Sequence, residues 1–273
     1  MNDPKVRRVA VACDAACDIR VAVGAAAVLA ERWNAALHGV FLENENLYRL
    51  AGLPFGRQLT LSPAVSETFS SADLEKVSSA LSAAMRRAVS EAAAQHGLEW
   101  SFGVVRDLPS AAALTEIEAD ILVVESAPRP FSGSWRPRSP WDALAEECAR
   151  TTLIRRQKPT RPGAVLILLG EQADREKTLA SGLLMAGPED EITVLVRDGS
   201  PDDLDTVKQT AERLTPPQRR TIRLEAAAAD QSDLFRQVER LKPVLLVLDA
   251  GEADAHAVRA VLANTQCDVL LVR

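Results

Sequence analysis

The sequence predicts two doubly wound α/β domains in tandem, each built on a parallel sheet, and three observations carry that prediction. Short, almost wholly apolar runs recur along the chain, as strands covered on both faces require. Segments of helical period lie between them, and strand–helix alternation closes into parallel sheets through right-handed crossovers. The order then restarts after a break at 158–163 and repeats in local detail, which at this length marks duplicated domains and not a solenoid. A chain of 273 residues also exceeds the roughly 250 that one core usually reaches.

The first strand is expected at 6–13, where nearly every residue is apolar. A helix follows, with Ile19, Ala22, Val23, Ala26, Ala30 and Trp33 on one face. Gly39-Val40-Phe41-Leu42 reads as the second strand. A long connection occupies 43–72, and its Leu47, Leu50, Leu53 and Phe55 predict that part of it folds against the domain. The next helix is the clearest in the chain: Leu74, Val77, Leu81, Ala84, Met85, Ala88 and Ala92 keep the helical period, and Gly97 follows its end. Trp100, Phe102 and Val104 alternate as a strand, 110–118 is a short helix, and 120–124 is another buried strand. The stretch 126–139 is rich in Pro and Arg. Ser139-Pro140-Trp141-Asp142 suits a helix start, with Ser at the N-cap, Pro in the first turn and Asp at the positive end. A final strand is expected at 151–156.

The linker is Lys158-Pro159-Thr160-Arg161-Pro162-Gly163. Beyond it, strands are expected at 164–169, 192–197, 221–225, 244–249 and 268–272, with helices at 173–186, 203–214, 232–241 and 253–263. The domains are therefore placed at 1–157, carrying the 43–72 insert, and 163–273, the second shorter and altered. The repeat is visible in single segments. Ala119-Asp120-Ile121-Leu122-Val123-Val124-Glu125-Ser126 parallels Pro243-Val244-Leu245-Leu246-Val247-Leu248-Asp249-Ala250, and Cys148 and Cys267 stand at matching places before the two last strands.

A net charge of −6 argues against broad nucleic-acid binding, which depends on neutralising phosphates with Lys and Arg. No run approaches the ~18 apolar residues of a membrane span. The opening residues carry no secretion signal pattern, so a cytoplasmic protein is expected. None of Cys13, Cys17, Cys148 and Cys267 forms a CxxC pair, and no histidine cluster accompanies them, so no zinc site is expected. Cys13 and Cys17 flank the first strand-to-helix turn and read best as two small buried residues. The alternative is a redox sensor, with the Cys17 pKa lowered beside a helix N-terminus. His38, His96 and His256 are scattered, no Ser-His-Asp order, nucleophile elbow, P-loop or GxGxxG is present, and no enzyme is predicted.

Several of these segments together resemble the universal stress proteins. The matching pieces are Val9-Ala10-Val11-Ala12-Cys13-Asp14 leading into a helix, Leu37-His38-Gly39-Val40-Phe41, Ala119-Asp120-Ile121-Leu122-Val123-Val124, and the closing helix ending in Cys148. The stretch Phe41-Leu42-Glu43-Asn44-Glu45-Asn46-Leu47 through Leu53-Pro54-Phe55 is similar to a divergent bacterial subgroup. The resemblance implies five parallel strands in the order 3-2-1-4-5 in each half and dimers that pair through strand 5. It also implies a nucleotide site at the carboxyl ends of strands 1 and 4, where ligands of open α/β sheets bind generally.

The resemblance carries Asp14 over as an acceptor for the ribose or adenine side, Val40 as a second contact, and Ser139 as the family's final Ser. On their own chemistry Arg129, Arg136 and Arg138, with Ser139 at a helix start, form a candidate anion site, the alternative being a solvated basic loop. The family's glycine-rich phosphate loop is not matched: only Gly133 is present, Pro128, Pro130 and Pro137 remove N–H donors, and Arg138 stands where a glycine is expected. In the second half Gly170 replaces the acidic residue, and 250–253 is too short for a phosphate cradle. Two functions follow as expectations. One is a stress-response regulator acting through an unknown protein partner, with strand 5 pairing within the chain or in a homodimer. The other is a module binding ATP or AMP in the first half, with slow nucleotide hydrolysis ranked below both.

Overall fold

The computed structural model describes residues 6–15, 17–53, 57–59, 66–68, 70–107, 111–125, 151–155, 163–170, 174–187, 190–197, 201–214, 222–227, 230–249, 265 and 267–273. The chain divides into two compact units, Met1–Ala127 and Pro128–Arg273.

In chain order the first unit contains β1 (Arg8–Cys13), α1 (Ile19–Trp33), β2 (Ala36–Asn44), α2 (Glu45–Ala51), β3 (Arg57–Leu59), β4 (Ser66–Thr68), α3 (Ser71–His96), β5 (Trp100–Asp107), α4 (Ala111–Thr115) and β6 (Ile121–Glu125). Its sheet runs β6-β1-β2-β5, with every pairing parallel. Within β1, Val9 through Cys13 are at most 1 % exposed, as a central strand covered on both faces demands. Asp120 fixes the start of that strand, its Oδ2 accepting from the backbone N–H groups of Arg7 at 2.7 Å and Arg8 at 2.9 Å.

The two long helices begin and end as their sequences dictate. Asp18 caps α1, accepting from Val21 N–H, and Asn34 closes it in the left-handed region. Small residues on its inner face, Ala22, Ala26, Ala27 and Ala30, let it lie close on the sheet. Ser70 caps α3 by accepting from Asp73 N–H, and Gly97, at φ 65°, ends it where a side chain would strain. Gly39 is required for another reason: a Cβ there would stand 2.6 Å from Val89 Cγ2 of α3 and 3.1 Å from Phe102 Cδ2.

The 43–72 insert is more ordered at its start than expected. β2 continues to Asn44 because β5 runs beside it to the pair Asn44↔Asp107. Then come α2 and the antiparallel ribbon β3–β4. Part of the insert folds against the domain as expected, α2 packing on α3 with Ala51 buried, but Leu47, Leu50 and Leu53 themselves are exposed, and Phe55 lies outside the described residues. Tyr48, lying under the Arg106 guanidinium at 4.1 Å, and Ala51 form the inward side of α2, which rotates the leucines outward.

The second unit contains β7 (Thr151–Arg155), β8 (Ala164–Leu169), α5 (Arg175–Met185), β9 (Glu191–Val196), α6 (Pro201–Leu214), β10 (Ile222–Ala226), α7 (Gln231–Leu241), β11 (Leu245–Asp249) and β12 (Asp268–Val272). Five strands run parallel in the order β10-β9-β8-β11-β12, which in their own sequence order is 3-2-1-4-5. β7 joins them antiparallel on β12, with Ile154↔Val269, Leu153↔Leu270 and Thr152↔Leu271 opposed. β7 precedes the 158–163 linker, yet this ladder groups it with the second unit. The helices expected from Ser139 and at 253–263 lie outside the described residues. No described helix is long and apolar enough to cross a membrane.

At the end of the β7–β12 ladder, Arg155 Nε lies 3.2 Å from Asp268 Oδ2, with side chains 5 % and 14 % exposed. An ion pair this buried contributes little net stability over an apolar pair, but deleting one member is costly. It also favours this register, because a slip of one residue between the strands would put the two charges on opposite faces of the sheet.

Two outcomes follow. Asp268→Ala lowers stability by on the order of 3 kcal/mol, read as a lowered urea midpoint at unchanged slope. Gly39→Ala, which overpacks the contact of α3 with β2, costs about 1–3 kcal/mol in the same measurement.

Candidate functional site

The carboxyl ends of β1 and β6 are neighbours through the ladder Val9↔Ile121 to Ala12↔Val124. Cys13 is the last residue of β1, Asp14 leaves the strand beside it, and the turn is closed by Cys17 N–H donating to the Asp14 carbonyl at 3.2 Å. Glu125 ends β6. Its Oε2 accepts from the backbone N–H of Asp18 at 2.6 Å and lies 3.2 Å from Cys17 Sγ. Cys17 Sγ in turn lies 2.6 Å from Cys13 Sγ. Glu125, 107 residues from Asp18 in sequence, is therefore the group that ties the start of α1 to the fourth strand of the sheet. Sequence reasoning noted this acid only as part of the repeat.

The Cys17 thiol is pushed well above its ordinary value, first by its hydrogen bond to Cys13, then by burial, and further by the negative charges of Cys13 and Glu125. The helix N-terminus that would lower it is outweighed by these neighbours, which corrects the reading of Cys17 as an acidified thiol.

Among the expected site residues, Asp14 is half-buried at this crevice. Val40 is 1 % exposed inside the sheet, opposite Ala12 and Gly103, so its side chain belongs to the core. Arg136, Arg138 and Ser139 lie outside the described residues, as does Cys148. Two N–H donors at the start of α1 are engaged: that of Asp18 by Glu125 and that of Val21 by the Asp18 carboxylate. What Asp14, Asp18 and Glu125 present is a set of acceptors, which suits a ligand's hydroxyl or amino groups and opposes phosphate.

A second polar cluster lies at the carboxyl ends of β2 and β5. Glu43 accepts from Ser78 Oγ of α3 at 2.5 Å and from Arg106 Nε of β5 at 2.7 Å. Burial pushes the Glu43 carboxyl up, but the hydrogen bonds from Ser78 and Arg106 outweigh it and hold the group below its ordinary value. This cluster pins α2, α3 and β5 around one carboxylate. On the opposite side of β2's course, His38 Nδ1 lies 2.7 Å from Ser101 Oγ, and burial, aided by Arg8, lowers its pKa so that it is neutral at pH 7.

The equivalent crevice of the second unit, at the ends of β8 and β11, is filled by its own side chains. Arg175 Nε donates to the Gly170 carbonyl at 3.0 Å while its Nη1 reaches Asp203 Oδ1 at 3.1 Å. Thr178 Oγ1 lies 3.4 Å from Asp249 Oδ2. Arg175 follows the N-cap Asp174 directly, so the first residue of α5 brings its guanidinium to the carbonyl of Gly170, the residue that stands where the first half has Asp14. Among the described residues no group of His, Cys, Asp and Glu is arranged to hold a metal ion.

No family model and no curated protein sequence matches the chain. Solved structures do. A universal stress protein from Archaeoglobus fulgidus aligns over 97 % of this chain and 98 % of its own, with TM-score 0.60 and 9 % identity. A provisionally assigned universal stress protein from Pseudomonas aeruginosa UCBPP-PA14 aligns over 98 % and 93 %, with TM-score 0.56 and 15 % identity. A functionally unknown protein from Pseudomonas aeruginosa PAO1 aligns over 98 % and 92 %, with TM-score 0.55 and 14 % identity.

The fold is that of the universal stress proteins. Strand order 3-2-1-4-5 is complete in the second unit, and the first four places of that order are filled by β5, β2, β1 and β6 in the first. On a universal stress fold the crevice at Asp14, Cys17 and Glu125 occupies the general ligand position of open α/β sheets.

The Glu43 cluster generates a pH dependence. A carboxyl held low in the folded state adds stability above its unfolded value, and that stability is lost as pH falls through the folded value. Glu43→Gln is therefore less stable than wild type at pH 7, and the gap closes below the ordinary value of 4.5, measured by urea midpoints across pH 7 to 3.

Proposed function

We propose that the protein is a stress-response regulator of the universal-stress type that works in the cytoplasm by contact with another protein, and that its first unit holds at most a modified small-ligand site. The observation that carries this reading is the apolar surface of α2 and α3. Leu47, Leu50, Leu53 and Val77 are 38 %, 53 %, 41 % and 55 % exposed. Leu47 and Leu50 stand one turn apart on α2, which packs on the helix that bears Val77. Leucines held outward by an otherwise docked helix support the reading that another protein covers this surface. The crevice supports the same reading from the ligand side, since its described acidic side chains, Asp14, Asp18 and Glu125, are acceptors, which suit a ligand's hydroxyl or amino groups better than its phosphates. The β7–β12 ladder supports the form of this reading in which strand 5 pairs within the chain.

Two measurements test this. A photocrosslinking residue at position 50, introduced in cells, gives a discrete adduct with a different protein, while one at Glu91 gives none. Absence of an adduct at position 50, or self-adducts alone, overturns the protein-contact reading. Calorimetry of the purified wild type with ATP and AMP gives no binding heat. Micromolar binding that Asp14→Ala abolishes replaces the reading with a nucleotide-binding one.

A further inference from the structure

The first unit carries two thiols in direct contact at the one crevice where the fold accepts ligands. Cys13 Sγ and Cys17 Sγ are 2.6 Å apart, far inside the van der Waals separation of two sulfurs. The residues are four apart, and the intervening turn is already closed by the Cys17-to-Asp14 backbone hydrogen bond. A covalent S–S bond of about 2.05 Å requires the two sulfurs to approach by roughly half an ångström. Cys13 is fully buried and Cys17 partly open, so one thiol meets an oxidant while the other waits beneath it. The third member, Glu125, receives Cys17 Sγ on its Oε2 and also holds Asp18 N–H at the entrance of α1.

We propose that Cys13 and Cys17 form a reversible disulfide site, closed by a peroxide and reopened by a dithiol reductant. In the first step Cys17 Sγ attacks one peroxide oxygen. The O–O bond breaks, Cys17 becomes a sulfenic acid, and the leaving oxygen departs as water with the thiol's proton. In the second step Cys13 Sγ attacks the Cys17 sulfur, the S–S bond forms, the S–O bond breaks, and the hydroxyl leaves as water with the Cys13 proton. Two thiols give up two electrons and two protons, and the peroxide takes them as two waters. Closure ties the end of β1 to the start of α1. It also removes the thiol hydrogen from Glu125 Oε2, which keeps the Asp18 N–H and gains capacity for one further donor from a ligand. The oxidation state of the pair thereby sets how many acceptors the crevice offers. The inference does not depend on the protein-contact reading, because its measurement involves no partner.

The test uses the full chain, reduced and then exposed to hydrogen peroxide, alkylated under denaturing conditions and digested with trypsin. Residues 9–20 form one tryptic peptide that contains both cysteines and excludes Cys148 and Cys267. Expected is complete loss of alkylation at Cys13 and Cys17 with a mass lower by two hydrogens, restored by dithiothreitol. Because Cys13, burial and Glu125 hold Cys17 protonated, closure is slow at pH 7 and needs excess peroxide, and its rate rises about tenfold per pH unit as the solution is made more alkaline, since the thiolate is the attacking form. Cys13→Ser instead stops at a Cys17 sulfenic acid that dimedone traps. Two alkylated thiols in the treated wild-type peptide, or Cys17 sulfinic acid without the disulfide, overturns the proposal whatever the folding of the variant.

Discussion

The placement of β1 between β2 and β6 governs the first unit. Parallel pairing on both sides sends all three strands out of the sheet at the same end, so the segments that follow β1 and β6 must meet there. The register decides what meets. With Ala12 opposite Val124, the next residues along are Cys13 on one strand and Glu125 on the other. Glu125 then faces the turn that leads into α1. A shift of one residue in either strand would exchange the buried and crevice-facing sets and separate the carboxylate from the thiols. The position of β1 is in turn secured at its start by Asp120, which holds the Arg7 and Arg8 amides across the same pair of strands.

Much of this frame was legible in the sequence because it rests on local pattern. The apolar run of β1, the helical period and Gly97 stop of α3, and the matched strands of the two halves are short-range signals, and each element stands where those signals put it. The side chains that organise the crevices were not legible. Glu125 acts on a residue 107 positions away, Glu43 on Arg106 63 positions away, and Arg155 on Asp268 113 positions away. Such pairs are set by strand register, which no periodicity encodes. The leucines of α2 show the opposite limit. Their spacing is that of a buried face, but a cation stacked on Tyr48 and one small alanine decided which side of a seven-residue helix turned inward.

The two units show how one topology supports different chemistry at the same place. Each has a first and a fourth strand ending side by side, and each fourth strand ends in an acid, Glu125 or Asp249. In the second unit the guanidinium of Arg175 bridges the Gly170 carbonyl and Asp203, so the crevice carries its own cation and its polar groups are spent on one another. In the first unit the corresponding groups are carboxylates and thiols. Their hydrogen bonds converge on Glu125 from a backbone amide and a weak sulfur donor, not from a charge.

That difference determines which crevice can respond to its surroundings. A guanidinium keeps its charge and its planar set of donors under all ordinary conditions, so the Arg175 arrangement has a single state. A thiol is a weak hydrogen-bond donor whose loss costs little, and two adjacent thiols have a second covalent state within reach. Because Glu125 keeps the Asp18 amide in either state, the start of α1 stays anchored while the remaining acceptor capacity changes. The strong backbone hydrogen bond thus preserves the fold, and the weak sulfur contact beside it is the part of the crevice free to vary.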